Sequence, residues 1–275
     1  MFGLTFLTAT SKTTTHRVVP FRIETTKLPS VAGYVAGGAD VSGFNNNIDK
    51  IAFPADTKTT LSATLSVPNN RAAGFANSGT AGYNAGGSNA GDRVNIVDKI
   101  AFPAETRTTI SATLTAGNAD SAGFANSGVA GYVAGGESSV RLNYIDKITF
   151  PADTKTTLSA TLTTARATLS GFANSGVAGY AAGGSDSGGA SSGIDKIAFS
   201  ADTKTTLSAT LTTARYQAAG FANSGVAGYA AGGYDTGKIS GIDKIAFPAD
   251  TKTTLSATLT TARNSAAAFA DSGTL

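Results

Sequence analysis

The residues whose types could do chemistry are acid–base pairs that recur five times along the chain. Each pair is an aspartate followed directly by a lysine, and the aspartates are Asp49, Asp98, Asp146, Asp195 and Asp243. A carboxylate and an ammonium group held together could exchange a proton with a substrate. Each pair lies, however, in a strand-like run such as Ile-Asp-Lys-Ile-Ala-Phe, and neighbours in a strand point to opposite faces. We therefore expect cross-strand or inter-repeat pairing of these residues, not a catalytic dyad.

A second recurring polar position could surround a common axis. It is occupied by Asn77, Asn126, Asn174, Asn223 and Asp271. A ring of such side chains could hold a ligand or an ion, or it could satisfy backbone groups and ordered water in a narrow channel. The second, structural use is the one we expect.

The remaining chemistry in the sequence is sparse. Arg166, Arg215 and Arg263 share one repeat position, but asparagine replaces them in the first two copies, which argues against a symmetric ligand ring. His16 is the only histidine, and no cysteine is present. The sequence shows no nucleophile–base–orienter trio, no metal-ligand spacing and no phosphate-binding loop followed by a helix. These absences predict a protein that is not an enzyme and needs no cofactor or metal.

The elements that position these residues come from an internal repeat. The phrase Gly-Tyr-x-Ala-Gly-Gly recurs with its tyrosines at spacings of 49, 49, 48 and 49 residues, at Tyr34, Tyr83, Tyr132, Tyr180 and Tyr229. A period of about 40–50 residues with several short strands per unit is typical of a β-propeller blade. Each unit predicts four strands, a to d, exemplified by residues 74–78 (a), 81–86 (b), 48–53 (c) and 60–65 (d). In strand d the alternation predicts Leu61, Ala63 and Leu65 on one face.

The order of the strands predicts how the ring closes. The repeats begin at residue 31 with strand b and end with a spare strand a at residues 267–273. Pairing of this last strand with the first blade would complete five blades and hide the sheet edges. The fold class is therefore predicted to be all-β, a five-bladed propeller over residues 31–275, preceded by an N-terminal arm over residues 1–30.

Composition limits the partners. The net charge of +3 is spread along the chain, whereas a nucleic-acid-binding protein would cluster its Lys and Arg. No apolar run approaches the length that spans a bilayer, and the apolar start of the arm lacks the basic flank of a signal peptide. We expect no nucleic-acid partner and no membrane insertion. The apolar residues of the arm could pack on the propeller itself or on a neighbouring subunit, so a homo-oligomer stays open.

Comparison of the five copies predicts where a partner would bind. The a–b and c–d turns hardly change, whereas the b–c and d–a loops, which share the opposite rim, vary greatly. This variation could reflect recognition, since loops on a rigid scaffold carry binding, or neutral drift of unconstrained loops. Tyr and Arg in these loops favour an interface. The candidate binding residues are Asn46, Arg93, Arg141, Tyr144, Tyr216, Tyr234, Asp235 and Lys238.

The repeat resembles kelch-type propeller repeats. An aromatic residue precedes a Gly-Gly pair, as Tyr34 precedes Gly37 and Gly38, and a basic residue ends the fourth strand, as in Thr164-Ala165-Arg166. The tryptophan typical of kelch repeats is absent. The run at residues 50–65 resembles repeats of bacteriophage tail-fibre and other virion proteins, especially of phages that infect cyanobacteria.

This resemblance implies a structural or binding protein of a phage virion. The arm and the invariant rim would contact other virion proteins, and the variable rim would face the host surface. Glycans of that host surface are candidate partners of the variable rim. Two alternatives remain from the residues, namely a soluble carbohydrate-binding, lectin-like propeller and a purely architectural decoration protein.

Overall fold

The computed structural model describes residues 32–53 and 55–268, and every regular element in them is a β-strand. No helix able to cross a membrane occurs in these residues. The strands are β1 (Ala32–Ala36), β2 (Ala39–Asp40), β3 (Gly43–Phe44), β4 (Ile48–Ala52), β5 (Thr57–Thr60), β6 (Ala73–Asn77), β7 (Ala81–Ala85), β8 (Val97–Ala101), β9 (Thr106–Thr109), β10 (Ala122–Asn126), β11 (Ala130–Ala134), β12 (Ile145–Thr149), β13 (Thr154–Thr157), β14 (Ser170–Asn174), β15 (Ala178–Ala182), β16 (Ser185–Asp186), β17 (Gly189–Ala190), β18 (Ile194–Ala198), β19 (Thr203–Thr206), β20 (Ala219–Asn223), β21 (Ala227–Ala231), β22 (Ile242–Ala246) and β23 (Thr251–Thr254).

These strands form five antiparallel sheets, which are the blades of a five-bladed β-propeller, as the repeat predicted. Blade 1 is β1-β4-β5, blade 2 is β6 to β9, blade 3 is β10 to β13, blade 4 is β14-β15-β18-β19 and blade 5 is β20 to β23. The two-residue strands β2-β3 and β16-β17 form small hairpins within the b–c loops of blades 1 and 4. The predicted closing strand extends into residues 269–275, and the arm covers residues 1–30. Both predictions lie outside the described residues.

Strand d is the one element that the sequence placed wrongly. The ladder forms over Thr57–Thr60, not over residues 60–65, and the apolar alternation continues beyond the strand as irregular chain. Leu61 and Leu65 are nevertheless buried, as the alternation predicted, with 8% and 1% of their surface exposed. An extended segment can bury alternate residues without forming backbone hydrogen bonds to a neighbouring strand. The alternation therefore predicted correctly which side chains are buried, but it did not predict where the strand lies.

One face of each of blades 2 to 5 carries a row of three large side chains. In blade 3, Phe124, Tyr132 and Lys147 are direct partners across β10, β11 and β12. The two aromatic rings stack with centroids 5.6 Å apart, and the ammonium group of Lys147 lies 5.7 Å from the centroid of the Tyr132 ring. This face packs on the next blade, because Tyr132 also stacks on Phe199 of blade 4 at 5.0 Å. The hydrophobic clusters therefore lie between blades.

The facing surface of the next blade must carry small side chains, because these rings pack against it. A Cβ added to Gly131 in blade 3 would collide with the ring of Phe75 in blade 2. The same relation links Gly179 to Phe124 and Gly228 to Phe172. The glycine and alanine content of strands a and b thus follows from close packing between blades.

Ion pairs join the blades along the same junctions. Lys99 of blade 2 approaches Asp153 of blade 3 with 2.6 Å between Nζ and Oδ2, and the Tyr83 hydroxyl donates to Oδ1 of the same aspartate at 2.7 Å. Burial and this hydrogen bond both raise the pKa of Tyr83. The predicted inter-blade use of the Asp-Lys lysines is confirmed.

The aspartates of the Asp-Lys pairs in blades 2 to 5 point the other way and bond to the preceding blade. Asp195 of blade 4 accepts from the hydroxyl of Thr163 at 2.7 Å and from the guanidinium of Arg166 at 2.7 Å. Burial alone would raise the pKa of Asp195, but the Thr163 hydrogen bonds and the charge of Arg166 outweigh it, so the pKa lies below its ordinary value. Arg166 is thus a buried structural residue, with 1% of its surface exposed.

Candidate functional site: the upper rim and its axial cavity

The upper rim, defined as the d–a and b–c loops of all blades, is ordered by short backbone bridges between neighbouring blades. Asn70 bridges to Ser88, Ala119 to Glu137, Ala167 to Ser185 and Tyr216 to Tyr234. In each case the first residue belongs to the d–a loop of one blade and the second to the b–c loop of the next. The variable residues therefore project from a backbone that is nearly the same at these four junctions.

Two of the predicted binding arginines take equivalent positions on this rim. Arg93 donates to Oε1 of Glu137 at 3.0 Å and to Oγ of Ser88 at 3.1 Å. Arg141, one blade later, donates to Oγ of Ser185 at 3.0 Å. The Arg93–Glu137 and Arg141–Ser185 contacts run from one blade to the next, whereas the Arg93–Ser88 contact lies within the b–c loop of blade 2. Arg93 and Arg141 thus stabilise the rim as well as presenting charge on it.

Four other predicted residues come together at the junction of blades 4 and 5. The Tyr216 and Tyr234 rings lie 5.6 Å apart and are tilted by 47°. Their backbones exchange two hydrogen bonds of 3.0 and 2.9 Å, and Tyr234 also bridges to Lys238. Asp235 adjoins Tyr234, and its N–H donates to the carbonyl of Gly237 at 3.0 Å. Two half-buried aromatic rings beside an exposed lysine form an amphipathic patch suited to a polar ligand with an apolar face.

Two predicted residues stand apart from this patch. Tyr144 is 41% exposed in the b–c loop of blade 3. Asn46 lies in the b–c loop of blade 1, where its carbonyl accepts the N–H of Leu65 at 2.8 Å. The structure therefore gives one compact group at the junction of blades 4 and 5 and several separate positions around the rim.

The rim surrounds a solvent-open cavity of about 360 Å³ that the sequence did not single out. The d–a loops of all five blades line it, each with two consecutive residues. The first residues of these pairs are Arg71, Asp120, Thr168, Gln217 and Ser265. Because the five blades contribute the same position, the cavity lies on the propeller axis.

Backbone hydrogen bonds link these five residues in series. The N–H of Asp120 donates to the carbonyl of Arg71, that of Thr168 to Asp120, that of Gln217 to Thr168 and that of Ser265 to Gln217, at 2.7 to 3.0 Å. All five have positive φ angles, from 54° to 59°, although none is glycine. For the β-branched Thr168 this conformation is a clear outlier. Such conformations persist only where the surroundings impose them, and they concentrate at ligand sites and switches.

The cavity wall combines charge, hydroxyl groups and apolar surface. Arg71 forms an ion pair with Asp120, its Nε donating to Oδ1 at 2.8 Å. Gln217 accepts at Oε1 from the side chain of Asn264 at 2.6 Å. The buried Oγ of Ser121 has no hydrogen-bond partner among the described residues. A hydroxyl-rich or amide-bearing small molecule would match these groups.

The predicted ring of asparagines lies away from this cavity, where strands a end at the a–b turns. Oδ1 of Asn77, Asn126 and Asn174 accepts the N–H of Gly128, Gly176 and Gly225 respectively, at 2.8 to 3.0 Å. These glycines belong to the a–b turn of the next blade. Asn223 is exposed, and Asp271 lies outside the described residues. The three bonded asparagines act between blades rather than on a ligand.

The axial residues were missed because they have no common residue type. Arg, Asp, Thr, Gln and Ser share one backbone conformation with positive φ. Glycine is the residue from which positive φ is usually predicted, and none of the five positions has a glycine. Their membership of the variable d–a loops is the signal that could have identified them. No group of three or more His, Cys, Asp or Glu residues that could hold a metal ion occurs within residues 32–53 and 55–268.

Comparison with known proteins supports the architecture. The solved structure of YjhT superposes with a TM-score of 0.72 over 87% of this chain and 84% of its own, at 13% sequence identity. At this identity the likeness shows the propeller fold alone. No protein-family model and no curated protein sequence matches the chain.

Proposed function

We propose that this chain is a non-enzymatic binding propeller of a phage virion, and that its upper rim is the recognition surface. The observation that carries the proposal is the placement of variation. At five equivalent positions around one cavity the backbone is the same and strained, while the side chain differs in every copy. The placement favours recognition over drift, because a loop free to drift need not keep a left-handed conformation without glycine.

The virion assignment depends on the resemblance of the repeats to tail-fibre and other virion proteins. In this arrangement the arm and the invariant rim contact other virion proteins, and the upper rim meets a host-surface molecule or a further virion component. Mass spectrometry of purified particles tests the assignment. Absence of the chain from the particles would exclude it, whereas the binding role of the upper rim would then be tested separately.

The binding role is tested by comparing substitutions on the two rims. Gln217→Ala alters the axial cavity, and Tyr234→Ala alters the aromatic patch. Thr108→Ala in the outer strand β9 is the matched control, because this exposed residue lies on neither rim. Adsorption of particles to host cells should fall with the first two substitutions and stay unchanged with the third. Equal adsorption in all three would favour the purely architectural alternative.

A soluble lectin is the second candidate, and the Tyr216–Tyr234 pair is the observation that favours it. Aromatic rings beside hydrogen-bonding side chains can stack on sugar rings while polar groups bind hydroxyls. Binding of the isolated chain to a glycan array, lost in Tyr234→Ala and kept in Thr108→Ala, would support the lectin candidate. Binding by a chain that purified particles lack would favour it over the virion assignment.

A further inference from the structure

Three valines form an exposed apolar row on the invariant rim, which is the rim made by the a–b and c–d turns. Val129, Val177 and Val226 occupy the same position in the a–b turns of blades 3, 4 and 5, and 50%, 48% and 50% of their surface is exposed. The equivalent residue of blade 2 is Thr80, which is also exposed. Each valine leaves half of its apolar surface in water, so a partner that covered the row would gain stability from its burial.

The turns that carry these valines are joined to one another around the propeller axis. The N–H of Gly176, which precedes Val177, donates to Oδ1 of Asn126 in the a–b turn of blade 3 at 3.0 Å. The N–H of Gly225 in blade 5 donates in the same way to Oδ1 of Asn174 in blade 4, at 2.8 Å. The three valines therefore belong to one continuous surface and are not scattered apolar residues.

Each valine is held by backbone hydrogen bonds on both sides. The N–H of Val177 donates to the carbonyl of Asn174 at 2.9 Å, and the carbonyl of Val177 accepts the N–H of Phe199 at 3.0 Å. The same two bonds hold Val129 and Val226. Because the backbone is already fixed, binding to this row would cost little ordering of the chain.

An exposed glycine precedes each valine of the row. A Cβ added to Gly128, Gly176 or Gly225 would have no atom within 4 Å. The surface thus alternates a projecting valine with a shallow gap above a glycine. A twofold interface between identical chains uses the same patch on both copies, so the patch must be its own complement. Valines of one copy placed over the glycines of another meet this condition.

The charged side chains of this rim in blades 2 to 5 are already engaged between blades. The acidic residue of each c–d turn pairs with a lysine of the preceding blade, in the pairs Lys50–Glu105, Lys99–Asp153, Lys147–Asp202 and Lys196–Asp250. The basic residue two positions further on also bonds to the preceding blade, as Nζ of Lys155 does to Oγ1 of Thr115 at 3.0 Å.

This distribution of charge favours a second copy over a different protein as the partner. Interfaces between different proteins are commonly matched by opposite charges, which also suppress wrong partners. The described turns of blades 2 to 5 offer no free charge to match. Two copies that meet through this surface would therefore bring together neither like charges nor unpaired ones.

We propose that two copies of this chain associate back to back through their invariant rims, with Val129, Val177 and Val226 of each copy packed on the valine–glycine row of the other. The two upper rims then face outward on opposite sides of the dimer. The proposal is independent of the virion assignment and of binding by the upper rim, because the oligomeric state of the purified chain is measured without particles or ligand.

Sedimentation equilibrium of the purified full chain tests the proposal. The native chain should be a dimer, and Val177→Asp should raise the dissociation constant at least about 100-fold with an unchanged circular dichroism spectrum, because each copy brings one carboxylate into the interface. Val140→Asp is the matched control, since Val140 is a 64% exposed valine on the upper rim, and this variant should dimerise like the native chain. A monomeric native chain, or a dimer that Val177→Asp leaves intact, would overturn the proposal.

Cysteine labelling shows what covers the rim, because the chain contains no native cysteine. Val177→Cys should react slowly with a maleimide at concentrations where the dimer forms, and as fast as Val140→Cys after dilution to the monomer. Fast labelling at every concentration would show that the rim stays uncovered. Slow labelling at every concentration would show that a segment of the same chain, such as the arm, covers it. Either of these last two results contradicts the proposal.

Discussion

At the residue scale, buried charge holds neighbouring blades in register. Arg166 donates to the Gly183 and Gly193 carbonyls and to Asp195, and it thereby ties three segments of blade 4 to the end of blade 3. Asn118 occupies the same position one blade earlier and reaches only the Gly135 carbonyl, at 2.8 Å. The sequence predicted correctly that this mixed position forms no symmetric ligand ring. The sequence could not show that the longer Arg side chain and the shorter Asn side chain both bond to a backbone carbonyl of the next blade.

Removal of Arg166 should therefore be costly. Arg166→Met leaves the buried Asp195 with Lys204, 3.8 Å from its Oδ1, as its remaining cationic neighbour. The expected loss in the free energy of unfolding is about 3 kcal/mol, the lower end for breaking a buried ion pair. Lys238→Met, which removes an exposed charge, should change the stability by less than about 0.5 kcal/mol. Urea denaturation of both variants measures the difference. Equal stability of the two would mean that the Arg166–Asp195 pair contributes nothing net.

At the element scale, the strands are specified by what packs between them. The Phe-Tyr-Lys row on one face and the glycine on the other fix the spacing of two blades. The same residue types recur at these positions in successive copies of the repeat. Strand d is the exception, because its ladder uses the polar segment Thr57–Thr60. The threonines there bond to the Asp-Lys aspartates, as Thr60 does to Asp49 at 2.6 Å. A polar outer strand has no alternation of apolar residues. The alternation of Leu61, Ala63 and Leu65 just after it therefore led to a prediction of strand d that lies too far along the chain.

The glycines of strand b that contact a phenylalanine ring of the preceding blade give a prediction for single elements. Gly131→Ala in β11 should destabilise the fold by at least about 1–3 kcal/mol, because the new methyl group would overlap the ring of Phe75. Gly237→Ala is the matched control, since no atom lies within 4 Å of its added Cβ. It should be neutral within about 0.5 kcal/mol. Thermal unfolding of both variants measures the difference. A neutral Gly131→Ala would contradict the close packing of Gly131 on the Phe75 ring.

At the scale of the whole molecule, the blade count and the propeller architecture followed from the repeat, because one period of about 49 residues recurs throughout. The axial cavity did not follow from any single copy. It exists only when five d–a loops meet around one axis, and its residues share a conformation rather than a chemistry. The grouping of Tyr216 with Tyr234 has the same origin, since the two lie in consecutive repeats and meet across a junction.

The junction tyrosines predict how stability depends on pH. Burial, followed by the bond to an acidic residue, raises the pKa of Tyr83, Tyr132 and Tyr180 above its ordinary value. A group whose pKa is raised on folding contributes stability below its unfolded pKa and loses it as the pH rises further. The free energy of unfolding should therefore fall above pH about 10, by about 1.4 kcal/mol per pH unit for each tyrosine.

Substitution of one tyrosine checks this dependence. Tyr132→Phe should reduce the alkaline slope by one tyrosine's share, while Tyr144→Phe, outside the junctions, should leave the slope as it is in the native chain. Denaturant titrations at a series of alkaline pH values provide the slopes. If the two variants lose stability equally with pH, the junction hydroxyls do not control the alkaline limit.

The left-handed turn at Arg71, Asp120, Thr168, Gln217 and Ser265 bears on how such a protein changes over generations. Its shape is imposed by the surrounding backbone, so one copy can exchange its side chain while the other four keep theirs. Near-identical gene segments also recombine readily, which would reorder whole copies without altering the scaffold. Under the recognition role proposed for the upper rim, a lineage carrying this chain could thus alter its ligand through single, independent genetic events.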